Sequence, residues 1–360
     1  MKEKLVIKNF GPIKSVDLEL NRFNIFIGDQ GTGKSTVAKL LIAIQNTFFR
    51  DFWEVVSTDS KSKESLLFFE HLDMLGIHNY LFDNTEIIFS SSKFSFQLKR
   101  REVILVEKTI SDADKVFYDF NYIPSERSLA VILLDSLFAL IQIKAELPYL
   151  FTQFGNKFQK ARRELTQFDY TSILRANYAY KNDKDVILLP NGTELPFHES
   201  SSGIQSAITL LLVFDYIMKT NGVGNLLVIE EPELNCFPDT QNKLMKHFIS
   251  KNINEQDDAI SYYRNRLFFT THSPYILTSV NNLMAAYTAG SNHEKEVEKI
   301  IEKKFWLDPK DVSAYMMLAD GTCENIMDAK EGLIKADKID SVSKVLNEQF
   351  DSLVNLEFKD

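Results

Sequence analysis

Three short segments near the start of the chain have the spacing of β-strands. Apolar and polar residues alternate over residues 4–9 and 16–20, on either side of a Gly11-Pro12 turn. Such alternation predicts strands with one buried face. Residues 23–27 are more continuously apolar and lead into a glycine-rich loop, after which helical spacing begins. The pattern predicts a strand–loop–helix unit.

The middle of the chain has a different pattern, which predicts an inserted lobe. Residues 86–90, 93–99 and 103–108 alternate again and predict an antiparallel meander, whereas helical periodicity covers residues 129–174. We therefore assign residues 51–175 to a lobe in which the meander precedes the helices.

The second half of the chain alternates between strand and helix patterns. An Asn-Gly pair in the middle of residues 178–197 predicts a hairpin. A helix pattern starts near Ser202, and the apolar residues 226–229 and 267–271 have the composition of buried parallel strands.

These elements predict an α/β fold, in which a mixed sheet carries an antiparallel β subdomain and a helical lobe. Residues 1–50 and 176–360 are expected to form the main domain, interrupted by the lobe at residues 51–175. A strand at residues 312–318 and a final helix at residues 339–356 would complete it.

The glycine-rich loop matches the phosphate-binding pattern G-x-x-x-x-G-K-[ST]. It consists of Gly28, Asp29, Gln30, Gly31, Thr32, Gly33, Lys34 and Ser35, and Thr36 follows it. The glycines let backbone N–H groups turn toward phosphates, Lys34 reaches the β and γ phosphates, and Ser35 can ligate Mg²⁺. An ordinary glycine-rich turn is the alternative, which the strand and helix on either side disfavour. The loop predicts that the chain binds a nucleoside triphosphate.

Two acids, Glu230 and Glu231, directly follow the apolar residues 226–229. The carboxyl ends of parallel strands are where α/β sheets bind ligands. Glu230 is expected to help hold Mg²⁺, and Glu231 to orient or deprotonate the attacking water. Aspartate is more usual at the first position, so the division of roles between the two stays open. Paired surface acids before a turn are the alternative interpretation.

Two further motifs point to the same chemistry. Ser201, Ser202, Gly203 and Gln205 lie at a predicted helix start, where hydroxyl and free N–H groups can bind a γ-phosphate. A simple helix cap is the alternative. His272 ends a predicted strand and could hydrogen-bond the γ-phosphate or the attacking water, although an isolated histidine is more often structural. The order of the motifs favours the functional interpretation.

These four motifs, in this order, resemble those of the ATP-binding-cassette superfamily. The details resemble its soluble branch, the OLD, RecF and SMC-like ATPases, in a compact prokaryotic form without a Toprim domain. Residues 7–13 look like that branch's opening strand and turn, residues 230–238 like its Walker B motif and D-loop, and residues 270–274 like its histidine switch. The D-loop departs from the usual Leu-His-Pro ending. The resemblance spans the whole chain and implies an ABC-type P-loop fold, ATP and Mg²⁺ as cofactors, and ATP hydrolysis.

The resemblance also implies a mechanism that needs two copies of the chain. Two protomers would enclose two ATP molecules, so that Ser202 and Gly203 act on the partner's nucleotide and Asn235 lies in the dimer-facing D-loop. Glu126 and Arg127 occupy the region of a Q-loop and are candidates for sensing the nucleotide. For Arg127 by itself, the preferred interpretation is a surface ion pair.

Composition limits the choice of partners. The net charge of -9 and the pI near 5.3 disfavour a surface that is basic overall. Any DNA contact would come from a local patch in the lobe, at residues 99–101 or 157–163, although the preferred interpretation of both charge runs is a solvated face. Cys236 and Cys323 have no metal-ligand spacing, which favours a reducing, cytoplasmic setting. The longest apolar run, residues 129–141, is too short to cross a membrane.

Three functional interpretations stay open. The preferred one is an ATPase that controls an effector protein, such as a nuclease or toxin of a prokaryotic anti-phage system, because the chain is acidic and has neither a sustained heptad arm nor a D-x-D metal pair after an apolar strand. The second is a RecF-like DNA-repair or chromosome-maintenance ATPase that acts directly on DNA. The third is an ATP-gated scaffold with negligible turnover.

Overall fold

The structure is a computed structural model. The residues that it describes are 3–47, 61–92, 94–108, 120–133, 146–220, 226–254, 265–335 and 349. The strands, in chain order, are β1 (Glu3–Phe10), β2 (Ile13–Leu20), β3 (Phe23–Gly28), β4 (Leu81–Ser90), β5 (Phe94–Lys99), β6 (Glu102–Lys108), β7 (Phe120–Ile123), β8 (Gln167–Phe168), β9 (Asn177–Lys181), β10 (Lys184–Leu188), β11 (Glu194–Pro196), β12 (Leu226–Glu230), β13 (Arg266–Thr271), β14 (Val312–Met317) and β15 (Cys323–Asn325). The helices are α1 (Lys34–Gln45), α2 (Lys61–Met74), α3 (Leu129–Leu133), α4 (Tyr149–Glu164), α5 (Thr171–Leu174), α6 (Ser202–Thr220), α7 (Pro238–Asn254) and α8 (Pro274–Glu298).

A six-stranded mixed sheet in the order β15-β14-β3-β13-β12-β7 forms the centre of the molecule. Its neighbours from β14 to β7 are parallel, and β15 is antiparallel to β14. All five residues of β12 are buried, as a strand covered on both faces requires. The predicted α/β fold with a mixed sheet is confirmed.

The two faces of this sheet bury separate hydrophobic clusters. Ile25 and Phe269 belong to one cluster, and Phe26 and Phe268 to the other, because successive strand residues point to opposite faces. The Phe26 and Phe268 rings stack with their centroids 4.4 Å apart. The sheet is therefore held by packing on both sides.

The predicted meander extends the N-terminal strands into one antiparallel sheet, in the order β2-β1-β4-β5-β6. Ile7 of β1 is opposite Ile87 of β4, and both are fully buried. Residues 51–175 thus contribute to all three sheets, because β7 lies in the central one and β8 in the small sheet that residues 167–196 form. Alternation predicts a strand's buried face but not its partner. The domain boundaries themselves stay a prediction.

Residues 167–196 form a small sheet in the order β11-β10-β9-β8. The predicted hairpin is the β10–β11 pair, whose turn includes Gly192 at φ 83°. A second turn, with Asn182 and Asp183 at positive φ, joins β9 to β10. Helix α4 packs beside α6. The predicted strand at residues 312–318 is β14, and the predicted final helix lies outside the described residues.

None of the described helices is both long and apolar enough to cross a bilayer. The longest, α8, packs through Gly290 against the segment that follows it, where a Cβ atom would lie 2.2 Å from the Trp306 ring. Glycine is needed there for close packing.

Gly290 and Gly155 both lie inside helices and give a matched test of this packing. Gly290→Ala should lower the free energy of unfolding, because its methyl group would displace the Trp306 ring. Gly155→Ala in α4 meets nothing within 4 Å and should raise the free energy of unfolding by about 0.5–1 kcal/mol. Urea titrations of both variants check the opposite signs; a gain for Gly290→Ala would contradict the packing.

Candidate nucleotide-binding site

The phosphate loop joins β3 to α1, and two of its glycines are required by close contacts. Gly28 has φ 153°, and a Cβ atom there would lie 2.3 Å from the Met317 carbonyl oxygen. Gly33 has φ 96°, and its Cβ position is 2.9 Å from the Ile13 side chain. Only glycine fits both the space and the backbone conformation. The loop is thus wedged between β14 and the start of β2.

Lys34 lies in the first turn of α1 and is buried. Its ammonium group donates hydrogen bonds of 2.7 Å to the carbonyl oxygens of Gly28 and Asp29, while the Thr32 hydroxyl donates to the Asp29 carbonyl at 2.8 Å. Burial lowers the pKa of Lys34, and the nearby carboxylates, Glu231 foremost, oppose that shift. The loop therefore holds a cation directly beside the free N–H groups of a helix start.

The exposed residues of the loop are Asp29, Gln30, Gly31 and Ser35, whereas Thr32, Gly33 and Thr36 are buried. This leaves the Ser35 hydroxyl accessible. Ser35 and Glu230 line the same cavity, which has a volume of about 560 Å³. The structure thus brings together the two residues that the sequence predicts as Mg²⁺ ligands.

Glu230 ends β12 and is 7% exposed. Its Oε1 atom is buried and has no hydrogen-bond partner among the described residues. Burial and the adjacent Glu230 carboxylate raise the pKa of Tyr122 well above its ordinary value. A buried, unpartnered carboxylate oxygen of a residue that lines a cavity with Ser35 fits a divalent cation that prefers oxygen ligands.

Glu231 and His272 face each other at the same edge of the sheet. The Glu231 Oε1 and His272 Nε2 atoms are 3.6 Å apart, and both side chains are partly exposed. Glu231 has φ 43°, an uncommon conformation for a residue with a Cβ. Its N–H group donates to the Thr270 carbonyl at 2.8 Å. This bond ties the second acid to β13, the strand that carries His272.

Glu233 holds the histidine segment and was not among the predicted site residues. Its Oε1 atom accepts hydrogen bonds from the Thr271 hydroxyl and the His272 N–H, both at 2.7 Å. Its Oε2 atom is buried without a hydrogen-bond partner in the described part of the chain. The only sequence signal for Glu233 is its place in the Glu-Pro-Glu segment that follows β12. The residues around it give no indication that it binds residues 271–272.

The predicted signature lies at the start of α6. Ser201 and Ser202 are exposed, and the Ser201 hydroxyl accepts from the Ile204 N–H at 3.4 Å, which is capping geometry. The Gln205 amide instead donates to the His198 and Ser200 carbonyls. Its side chain therefore stabilises its own segment.

Gly203 packs against the D-loop. A Cβ atom at Gly203 would lie 2.6 Å from the carbonyl oxygen of Asn235, which has φ 60°. Within the described ranges, no hydrogen bond joins residues 201–205 to residues 28–36. The structure thus brings the signature to the D-loop of its own chain.

Arg127 is fully buried, so the interpretation of it as a surface ion pair is wrong. Its guanidinium donates to the carbonyl oxygens of Pro124, Ser206, Glu230 and Glu231 at 2.8–3.2 Å. Glu126 is exposed and lines the cavity beside Ser35. The local sequence Ser-Glu-Arg gives no sign that its arginine is buried. The sequence analysis therefore missed this network of hydrogen bonds.

The basic cluster at residues 157–163 is not uniformly exposed. Arg162 is buried, forms an ion pair with Asp185, and stacks over the Tyr180 ring at 4.9 Å. Lys160 and Arg163 are exposed on α4. Arg162 therefore binds the small sheet. A contact with nucleic acid would involve the exposed Lys160 and Arg163 instead.

The fold and these contacts define a P-loop nucleotide-binding protein. The family model for the AAA ATPase domain matches residues 1–135 and 133–277. The chain belongs to this AAA ATPase domain family. No curated protein matches it in sequence.

Solved structures similar to the chain include an SMC head domain from Thermotoga maritima, with 11% identity, a TM-score of 0.42, and coverage of 90% of this chain and 98% of that one. Another is a Pyrococcus furiosus SMC head domain bound to the C-terminal domain of ScpA, with 11% identity, a TM-score of 0.44, and coverage of 96% and 98%. A third is the recombination mediator protein RecF, with 10% identity, a TM-score of 0.41, and coverage of 91% and 98%.

Glu233 gives a test of the contacts that hold the histidine segment. Glu233→Ala should lower the free energy of unfolding by about 1–3 kcal/mol, because two donors lose their acceptor. Glu233→Gln keeps an acceptor oxygen and should lose less. Denaturant titrations compare both with the exposed-site control Glu302→Ala, expected within about 0.5 kcal/mol of wild type. Equal losses for Ala and Gln would show that the charge, not the acceptor, matters.

Proposed function

We propose that this chain is an ABC-type ATPase of the OLD, RecF and SMC-like branch, which binds ATP with Mg²⁺ and hydrolyses it. The observation that carries the proposal is the convergence of three separate motifs at one sheet edge. The negative charges of Glu231, Glu233 and Glu230 oppose the lowering of the Lys34 pKa by burial. The Glu231 Oε1 atom is 3.6 Å from the His272 Nε2 atom. Family membership supports the ATPase class.

Each residue has a role that its position supports. Lys34 would exchange its bonds to two loop carbonyls for bonds to the β and γ phosphates. Ser35 and Glu230 would hold Mg²⁺, which neutralises developing phosphate charge. Glu231 would orient or deprotonate the attacking water, and the His272 Nε2 atom would bind that water or the γ-phosphate.

The proposal includes a dimer in which each copy completes the other's site. Ser202 and Gly203 lie beside the D-loop and would bind the partner's γ-phosphate. Phe237, at the end of that loop, is 77% exposed. Aromatic side chains are enriched at interfaces between proteins, so Phe237 fits a surface that a second copy covers. A second copy of this chain is the occupant that fits the composite site.

For the biological role, we propose control of an associated effector, such as a nuclease or toxin, in prokaryotic anti-phage defence in the cytoplasm. The acidic net charge and the internal pairing of Arg162 support an effector over DNA as the partner. The exposed Lys160 and Arg163 favour the second candidate, an ATPase that acts directly on DNA. An ATP-gated scaffold would share the fold but release no phosphate.

Glu231→Gln tests hydrolysis and dimerisation together. The variant should bind ATP and Mg²⁺, release phosphate at least about 100-fold more slowly than wild type because it has lost the proposed base, and shift to a dimer or higher assembly. Phosphate release and multi-angle light scattering, with and without ATP, measure both effects.

Glu294→Gln is the matched control, because Glu294 is exposed and pairs with Lys303 far along the chain from the motifs. It should hydrolyse ATP at the wild-type rate. A Glu231→Gln protein with the same monomeric mass in both conditions would refute the ATP-dependent dimer, and wild-type turnover would refute the role of Glu231.

The partner can be identified with the same variant. Glu231→Gln, held in ATP, should co-purify with one effector protein from its native host, whereas wild type in ADP should not. Duplex DNA should leave the ATPase rate of wild type unchanged. DNA-stimulated turnover that falls in Lys160→Glu/Arg163→Glu would instead establish the second candidate function.

A further inference from the structure

Arg127 is the only fully buried arginine of the described chain, and its surroundings are unusual for a charged residue. It lies in the short 3₁₀ turn Ser125–Ser128, just after β7. All four of its hydrogen bonds in the described residues go to main-chain carbonyl oxygens, and none goes to a carboxylate. The guanidinium therefore recognises backbone positions.

A buried charge needs compensation, because removing a guanidinium from water is costly. The groups that oppose this effect of burial on the pKa of Arg127 are the Cys236 sulfur and the acids of the same sheet edge, Glu233, Glu231 and Glu230. Burial lowers the pKa of Arg127 to about 10, so the group still carries its proton at neutral pH. An apolar residue could fill the same space without this cost, so packing alone does not account for an arginine.

Three of the four carbonyls belong to two different parts of the site, and the fourth, that of Pro124, precedes the turn of Arg127 itself. Those of Glu230 and Glu231, both at 2.8 Å, are the end of β12 and the residue after it. That of Ser206, at 3.2 Å, is in the first turns of the signature helix α6. The planar guanidinium offers donors in a rigid fork, which fixes these two segments relative to each other.

The hydrogen bond from Arg127 holds the backbone of Glu231 in an uncommon conformation. Its φ of 43° is an unfavourable backbone conformation for a residue with a Cβ. Its N–H group is bound to the Thr270 carbonyl, and its own carbonyl is bound to Arg127. The backbone of the proposed base is therefore held on both sides, once by β13 and once by Arg127.

We propose that Arg127 is a positioning residue that couples the signature helix α6 to Glu231. A shift of α6, when the signature engages the partner's nucleotide, would pull on the Ser206 carbonyl and move the fork that holds Glu231. Hydrolysis would then depend on engagement of the partner although Arg127 touches neither nucleotide. The inference rests on the proposed ATPase function.

The test uses Arg127→Lys and Arg127→Met in the full chain. Lysine keeps a cation but cannot span four carbonyls, and methionine keeps the apolar volume. Both should bind MgATP with a Kd within about threefold of wild type and show a kcat lowered by roughly 10- to 100-fold, the usual effect of losing a residue that orients a catalytic group. Arg127→Lys should recover part of the kcat lost in Arg127→Met.

Hydrogen exchange of the nucleotide-free protein gives a readout that does not need turnover. Exchange should rise at residues 203–207 and 230–234 in both variants, and stay at wild-type rates in α1. Arg162→Lys is the matched control, because Arg162 is also buried but pairs with Asp185. It should alter neither kcat nor exchange in those two segments.

Unchanged kcat in both Arg127 variants would overturn the proposal, and so would exchange that rises throughout the central sheet and α1, since that pattern indicates a general packing role. If wild type bound ATP without releasing phosphate, the proposed ATPase function would fail. The exchange at residues 203–207 and 230–234 would still decide whether Arg127 ties the two segments together.

Discussion

The parallel pairing of β3, β13 and β12 is the constraint on which the candidate site depends. Ile27 is opposite Thr271, and Glu230 is opposite Thr270. Strands paired in this way end at the same edge of the sheet, so the phosphate loop, the acid pair and His272 emerge side by side. A slip of one residue in either pairing would turn that strand's side chains to the opposite face. Burial on both faces of the sheet makes such a slip costly.

Two buried cations, Lys34 and Arg127, lie near the acids at this edge of the sheet. They bind backbone carbonyl oxygens in different ways. Lys34 binds two loop carbonyls with a flexible side chain. Arg127 has no exposed surface and binds four carbonyls through a rigid fork. The positive charge of Lys34 is therefore on a flexible side chain, whereas that of Arg127 is held rigidly. The acids raise the pKa of both cations against the effect of burial.

Local patterns were sufficient to locate most strands and the loop. The segments predicted at residues 23–27, 226–229 and 267–271 are β3, β12 and β13, because alternation and continuous apolar runs are properties of short stretches of sequence. The partner of the meander was not predictable, since an alternating strand can pair with any other of matching pattern. Arg127 and Arg162 were expected at the surface, yet both are buried. Their partners lie on other elements, which no local pattern reveals.

The sequence by itself determined which residue types the candidate site contains: a glycine-rich loop with Lys34 and Ser35, an acid pair after a buried strand, and a histidine after another. Each of these signals depends on residue types within a few positions. Only the tertiary structure decided that Glu233 holds the backbone of His272 and that Arg127 joins the signature helix to Glu231. These contacts link residues 39 to 104 positions apart, and only the register and packing of the central sheet bring them together.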